Sequence, residues 1–268
     1  MSSPEFQFNF KFNLHKSVIP IGIADDDYER LSVVYGVPLE DILEEANAHA
    51  ATNAEEAAWL AERFPNAVEA LAKKRIVFMG DSITDDRQSY VNIYKRLLKD
   101  AGTEIMNDAI SAYKLVDIIT NFVPRVTDFK PQLVHIMVGS NDMKRTSDAA
   151  EAQMVTSAEY ERQLSYLVWR LKLENARVIL TTVPPFDPRK VHDSFFEANI
   201  VYRPEDREAY NAAIRRVARM QDCVLNDMEA IYSEYSTDEI TRDDGLHLNR
   251  LGQRLLATRV LKLLIENA

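Results

Sequence analysis

Apart from His135 and the leading Arg177, the stretches 133–138 and 177–183 of this 268-residue chain are apolar or β-branched, without the alternation that marks a strand with one wet face. A strand of that kind must be covered on both sides, as happens in parallel sheets sandwiched between helices. A third run, 76–79, has the same character and ends in Gly80-Asp81-Ser82. Helical patterns fall between the runs. In 156–174, Tyr160, Leu164, Leu167, Val168 and Leu171 make one stripe, and Thr156 with Glu159 forms a capping box. The whole pattern predicts strands at 75–80, 103–109, 132–139, 177–184 and 223–227, with helices near 87–101, 112–126, 156–174, 204–221 and 249–266. Such alternation implies an α/β fold, a three-layer α/β/α sandwich around a mostly parallel, five-stranded sheet.

Residues 1–72 read differently, as an N-terminal strand and an acidic helical extension, leaving 73–268 to the α/β domain. Residues 5–14 alternate strictly, so a strand would put Phe6, Phe8, Phe10, Phe12 and Leu14 on one face. Such a face must cover something, either this subunit's own surface or a second copy in a homo-oligomer. Intramolecular cover is the preferred expectation. Further along, the punctuation predicts helices at 28–34 and 39–46 around Gly36-Val37-Pro38, and a third ending at Phe64 with Asn53 and Glu56 as its capping box.

The net charge of −10 is concentrated: residues 24–70 hold 12 acidic and 2 basic side chains, and the remainder is balanced. That acidity argues against nucleic acid or anionic membrane as a partner. The apolar runs are too short to insert stably in a bilayer, and the first residues lack a secretory h-region. A single cysteine, Cys223, excludes an internal disulfide and fits a reducing compartment, so a cytoplasmic location is expected.

Ser82 follows a predicted strand, at the face where open α/β sheets place their ligands. A serine hydroxyl becomes a nucleophile when an imidazole takes its proton and a carboxylate orients that imidazole. Asp244 and His247, three residues apart with Gly245 between them, can serve as orienter and base in one short loop, and Asp243 is the alternative carboxylate. Asn249 reads as the N-cap of the last helix. The oxyanion of a tetrahedral intermediate needs preplaced donors. Those available are the N–H of Ser82, the side-chain amide of Asn141 after the third strand, and the N–H of Ala109 after the second. Asp81 and Asp142 read as residues that hold turns, and His135, inside an apolar strand, as a core histidine.

Taken together, Phe78-Met-Gly-Asp-Ser-Ile-Thr84, the turn 107–111, Gly139-Ser-Asn-Asp142 and Asp244-Gly-Leu-His247 resemble the four sequence blocks of the SGNH (GDSL-type) hydrolase family, in order, over roughly 73–268. The resemblance implies a flavodoxin-like sheet, hydrolysis of acyl esters through an acyl-serine, and no metal or organic cofactor. It implies Ser82 as nucleophile, His247 as base, Asp244 as its partner and Asn141 as an oxyanion donor. One position departs from the family: Ala109 stands where a glycine is usual, and a backbone donor there survives a methyl group only at negative φ.

The long connection 185–203 lies at the face that carries the serine. Phe186, Phe195, Phe196 and Tyr202 could line an acyl or sugar pocket, with Arg189 or His192 meeting a polar substrate. Packing of these aromatics onto the domain is the competing reading. No Gly-x-Ser-x-Gly elbow, dinucleotide fingerprint, P-loop or zinc-type motif is present, and the five histidines are scattered. The expected substrate is a small ester, such as an O-acetyl group on carbohydrate. Lysophospholipase or thioesterase activity, or a non-catalytic binding protein on the same fold, are the alternatives.

Overall fold

The computed structural model describes residues 3–18, 22–122, 126–193 and 199–268. Its strands are β1 (Arg75–Gly80), β2 (Glu104–Asn107), β3 (Leu133–Met137), β4 (Arg145–Thr146), β5 (Arg177–Thr181), β6 (Ile200–Val201) and β7 (Val224–Asn226). Five of them form one parallel sheet in the order β2-β1-β3-β5-β7, while β4 and β6 make a separate antiparallel pair. Counted within the large sheet alone, the order is the doubly wound one whose switch point lies between β1 and β3. The sheet and its flanking helices form the expected three-layer α/β/α sandwich.

The pleat sorts the apolar residues onto two covered faces. Val77 and Met79, Val134 and Ile136, and Val178 and Leu180 enter one core with residues of the helices Ser157–Leu173 and Pro204–Met220. Ile76, Phe78, Leu133, Met137 and Ile179 enter the other, against the helices Tyr90–Leu97 and Arg250–Glu266. Each such side chain, fully buried, contributes about 1.5–3 kcal/mol. This two-sided burial explains why the central strands do not alternate in sequence.

One polar thread crosses the second core. Tyr90 Oη lies 3.0 Å from both Thr84 Oγ1 and His135 Nδ1, and His135 Nε2 lies 2.6 Å from Thr181 Oγ1. Asn226 Nδ2 then donates to Thr181 Oγ1 at 3.0 Å. His135 is thus a core histidine with both ring nitrogens satisfied.

The N-terminal segment corrects the expectation of a strand. Pro4–Lys11 is an α-helix, with Ser3 as N-cap accepting from Phe6 N at 3.1 Å and Pro4 in its first turn. Residues two apart in a helix point about 200° apart, so a period of two makes two opposed stripes. Phe6 and Phe10 stack with centroids 5.6 Å apart and enter a small core with Leu31 and Ile42. Phe8 and Phe12, 4.8 Å apart, face the other way. The phenylalanines are covered within the chain, from two sides rather than one.

The acidic segment also differs in detail. Tyr28–Tyr35 is helical as expected, ending at Gly36 in the left-handed conformation. The next two expected helices are one helix of 25 residues, Leu39–Arg63. No glycine or proline interrupts that span, so Asn53 and Glu56 stand inside it and form no cap. Asn53 Nδ2 donates to Arg87 O at 2.8 Å. Glu56, 2% exposed, receives Arg254 Nε at 2.6 Å and Arg250 Nε at 2.5 Å. Burial alone would push the Glu56 carboxyl up, but its bonds from Arg254 and Arg250 hold it below the usual carboxylate range. Ala57, Leu60, Ala67 and Leu71 share the core of Ile76 and Phe78, so the extension joins the core on that side of the sheet, its long helix packed against the helix Tyr90–Leu97. Among the described residues no helix is long and apolar enough to cross a membrane.

Burial lowers the pKa of His135 from 6.5 to about 3. Below pH 6.5 the unfolded chain therefore takes up a proton that the folded chain refuses, and stability falls as pH falls toward 3. The slope from this one group approaches about 1.4 kcal/mol per pH unit. Denaturant titrations between pH 4 and 7 should show a slope shallower by about one proton in His135→Gln than in wild type. Equal slopes would mean that the imidazole is protonated in place.

Candidate active site

Ser82 is delivered by the end of β1. Asp81 caps the one-turn helix Ser82–Asp85 by accepting from Ile83 N at 3.1 Å. Gly80 is needed for close approach: a Cβ there would lie 2.6 Å from Met137 O and 2.4 Å from Thr84 Oγ1. No side chain fits between the β1 end, its neighbour strand and the turn.

His247 sits in a loop between the helices Thr237–Ile240 and Arg250–Glu266. Arg242 N donates to His247 O at 2.8 Å and Gly245 N donates to Arg242 O at 2.9 Å, closing the loop on itself. Gly245, at φ +71°, takes the left-handed turn this requires. Asn249 is the N-cap of the last helix, accepting from Gly252 N at 3.1 Å and donating to Thr241 O at 3.0 Å. The loop is therefore fixed at its downstream end to a rigid element.

The three side chains form one hydrogen-bonded line. Ser82 Oγ lies 2.8 Å from His247 Nε2, and His247 Nδ1 lies 3.0 Å from Asp244 Oδ2. The other oxygen, Asp244 Oδ1, accepts from Leu246 N at 2.8 Å and His247 N at 2.9 Å. Burial pushes the Asp244 carboxyl up, but these bonds from His247 and the backbone outweigh it and hold the group below its ordinary value. It is ionised at neutral pH and can orient Nδ1–H, leaving Nε2 to accept from the serine. Asp243, the alternative orienter, is exposed.

The oxyanion candidates differ in how free they are. Asn141, 7% exposed, donates through Nδ2 to Tyr113 O at 3.0 Å, which uses one of its two amide N–H bonds. Ala109 lies outside the left-handed region, so its methyl group costs the turn nothing. Its N–H, however, donates to Asn107 Oδ1 at 3.2 Å, and an oxyanion would have to share or displace that bond. Asp81 holds its own turn as expected, whereas Asp142 accepts from Leu115 N at 3.0 Å, at the start of the helix Leu115–Phe122, and so ties two loops together rather than its own turn.

Of the two readings of the loop after β5, Phe186 and Tyr202 follow packing onto the domain rather than a pocket lining. Phe186 is buried against Tyr202, with centroids 5.2 Å apart, as part of the core. Arg189 is 90% exposed and pairs with Asp187, and His192 is exposed on the same short helix, Pro188–Asp193. The loop still touches the site, since Asp187 N donates to Gly245 O at 2.8 Å. Phe195 and Phe196 lie outside the described residues. Among the described residues no group of three or more His, Cys, Asp or Glu side chains is arranged to hold a metal ion.

The residues that sequence reasoning missed come from the N-terminal helix. The Phe12 ring lies over the His247 imidazole, with centroids 4.1 Å apart and planes 33° from parallel. Phe8 meets the same imidazole edge-on at 5.7 Å. The available signal was Ser3-Pro4, an N-cap followed by a first-turn proline, which favours a helix over a strand.

Solved structures of similar fold include the lipase/acylhydrolase from Enterococcus faecalis, 23% identical, covering 72% of this chain and 96% of that one at a TM-score of 0.60. The acetyl xylan esterase AlAXEase is 21% identical, covering 70% and 98% at 0.57. A variant of an acetyl xylan esterase from Geobacillus stearothermophilus is 21% identical, covering 72% and 95% at 0.57. At these identities the likeness is one of fold. No curated protein sequence matches the chain. The model of the GDSL-like Lipase/Acylhydrolase family matches residues 78–255, which carry Ser82, Asn141, Asp244 and His247, and the chain belongs to that family of hydrolases.

Proposed function

We propose that this chain is a carboxylic ester hydrolase acting through an acyl-serine, with short acyl groups such as O-acetyl on carbohydrate as its substrates. The observation that carries the reading is the line from Ser82 Oγ to His247 Nε2 at 2.8 Å and from His247 Nδ1 to Asp244 at 3.0 Å. Family membership supports it.

In this reading Ser82 Oγ attacks the ester carbonyl while His247 Nε2 takes its proton, and Asp244 stabilises the imidazolium that forms. The negative charge on the carbonyl oxygen falls to the Ser82 N–H and the Asn141 amide, with Ala109 N–H joining if Asn107 releases it. His247 returns the proton to the departing alkoxide, leaving the acyl-serine and the free alcohol. Water then attacks the acyl carbon, His247 takes its proton and returns it to Ser82 Oγ, and the carboxylic acid leaves.

The preference for short acyl groups draws its support from two sides. Two of the fold neighbours are named as acetyl xylan esterases. The imidazole is only 3% exposed, with Phe12 across its face.

Hydrolysis of p-nitrophenyl acetate, butyrate and octanoate by wild type and Ser82→Ala tests both parts. Ser82→Ala should lose turnover on all three, and wild type should favour acetate. Preference for octanoate would shift the reading to a lipase or lysophospholipase. No turnover and no fluorophosphonate labelling of Ser82 would sink the enzyme reading in favour of a binding protein. Asp244→Asn should lower kcat by about 10³- to 10⁴-fold, because the amide favours the wrong imidazole tautomer. A loss under about tenfold would remove Asp244 from its assigned role.

A further inference from the structure

Residues 4–17 lie outside the part of the chain matched to the family, yet they reach the centre of the site. Their attachment is dense and falls mainly on the segment that follows the Ser82 helix. Arg87 N donates to Lys11 O at 2.9 Å, Arg87 Nε donates to Phe10 O at 2.9 Å, and Asn13 Nδ2 donates to Asp85 O at 2.8 Å. Lys11 Nζ pairs with Asp86 at 2.9 Å, and Lys16 Nζ with Asp85 at 2.7 Å. The loop after β2 holds the same segment: Ser111 Oγ donates to Phe12 O, and Ser17 Oγ donates to Ser111 O at 2.6 Å.

These bonds fix the backbone on both sides of Phe12, whose side chain is 1% exposed. With the backbone fixed, burial of the ring holds it against the imidazole. The imidazole of His247 has both nitrogens engaged along its edge, by Ser82 and Asp244, and those bonds alone leave its face undefended. A ring packed on that face limits rotation about the last side-chain bond. It also keeps water from competing for the two nitrogens.

We propose that Phe12 is a positioning residue for His247, and that the N-terminal helix is a working part of the catalytic apparatus. The proposal rests on the esterase reading. The opposed stripes of the helix divide the labour: Phe6 and Phe10 dock it on the extension, and Phe12 carries its ring to the imidazole.

The experiment compares wild type, Phe12→Ala, Phe12→Leu and Leu171→Ala on p-nitrophenyl acetate, well below the melting temperature of each. Phe12→Ala should lower kcat by about 10- to 100-fold with KM within about twofold, and should slow fluorophosphonate labelling by the same factor. Phe12→Leu, which refills the space, should recover most of the loss. Leu171→Ala, which opens a cavity in the core on the other face of the sheet, should keep kcat. In proton NMR the ring protons of His247 should be shifted upfield in wild type and released in Phe12→Leu, a comparison that stands even if Phe12→Ala fails to fold. A folded Phe12→Ala with kcat near wild type, an equal loss in Leu171→Ala, or His247 resonances indifferent to Phe12 would each overturn the assignment. An inactive, unlabelled wild type would instead sink the esterase reading itself, and these two failures are separable.

Discussion

The site depends on how closely β1 approaches β3. Their parallel register pairs Gly80 with Met137, and a single Cβ at Gly80 would come within 2.6 Å of the Met137 carbonyl. Only a glycine lets the β1 end run flush with its neighbour and turn at once into the Ser82 helix. Because the sheet order reverses between β1 and β3, the loops that follow them diverge there and leave a crevice. Ser82 and Asn141 stand on its two sides. His247 comes from a loop that Asn249 ties back on itself at Thr241 O, at the start of the last helix, which packs into the core on one face of the same sheet.

The electrostatics of that crevice follow from burial. Burial pushes Asp81 up to about 6 and Asp142 to about 7, although backbone N–H bonds from Ile83 and Leu115 oppose the shift. Both therefore carry less negative charge near neutral pH than exposed carboxylates would. Asp244 is the opposite case, held ionised by donors from its own loop. Negative charge is thus kept beside the imidazole and reduced beside the serine.

The extension adds a second layer to this arrangement. Its acidity is partly spent inside the molecule, since Glu55 and Glu56 take Arg250 and Arg254 of the last helix. That helix is the one Asn249 begins, so the extension braces the element from which the His247 loop hangs. The N-terminal helix rests on the extension with one stripe and on His247 with the other. Support reaches the imidazole from below through the last helix and from above through Phe12.

Local chemistry made much of this legible in the sequence. Uninterrupted apolar runs reveal doubly covered strands because both faces of those strands are dry. The Gly80-Asp81-Ser82 turn, the Asp244-Gly245-Leu246-His247 loop and the Asn249 cap are short-range geometries that their own residues specify. Residues 5–14 were misread because a period of two suits a one-sided strand and a helix gripped from two sides, and only the neighbours decide between them. Asn53 and Glu56 looked like a cap because capping chemistry is the same whether or not a helix already runs through it. The sequence leaves Phe186 open between a pocket wall and core packing, and only its contact with Tyr202 decides for the core. By itself, the sequence determined the sheet, the order of its motifs and the identity of the Ser-His-Asp group, since each depends on contacts near in the chain or on a pattern of burial. The tertiary structure alone decided that Phe12, 235 residues from His247 in the chain, lies across its imidazole, because no local rule relates residues so far apart.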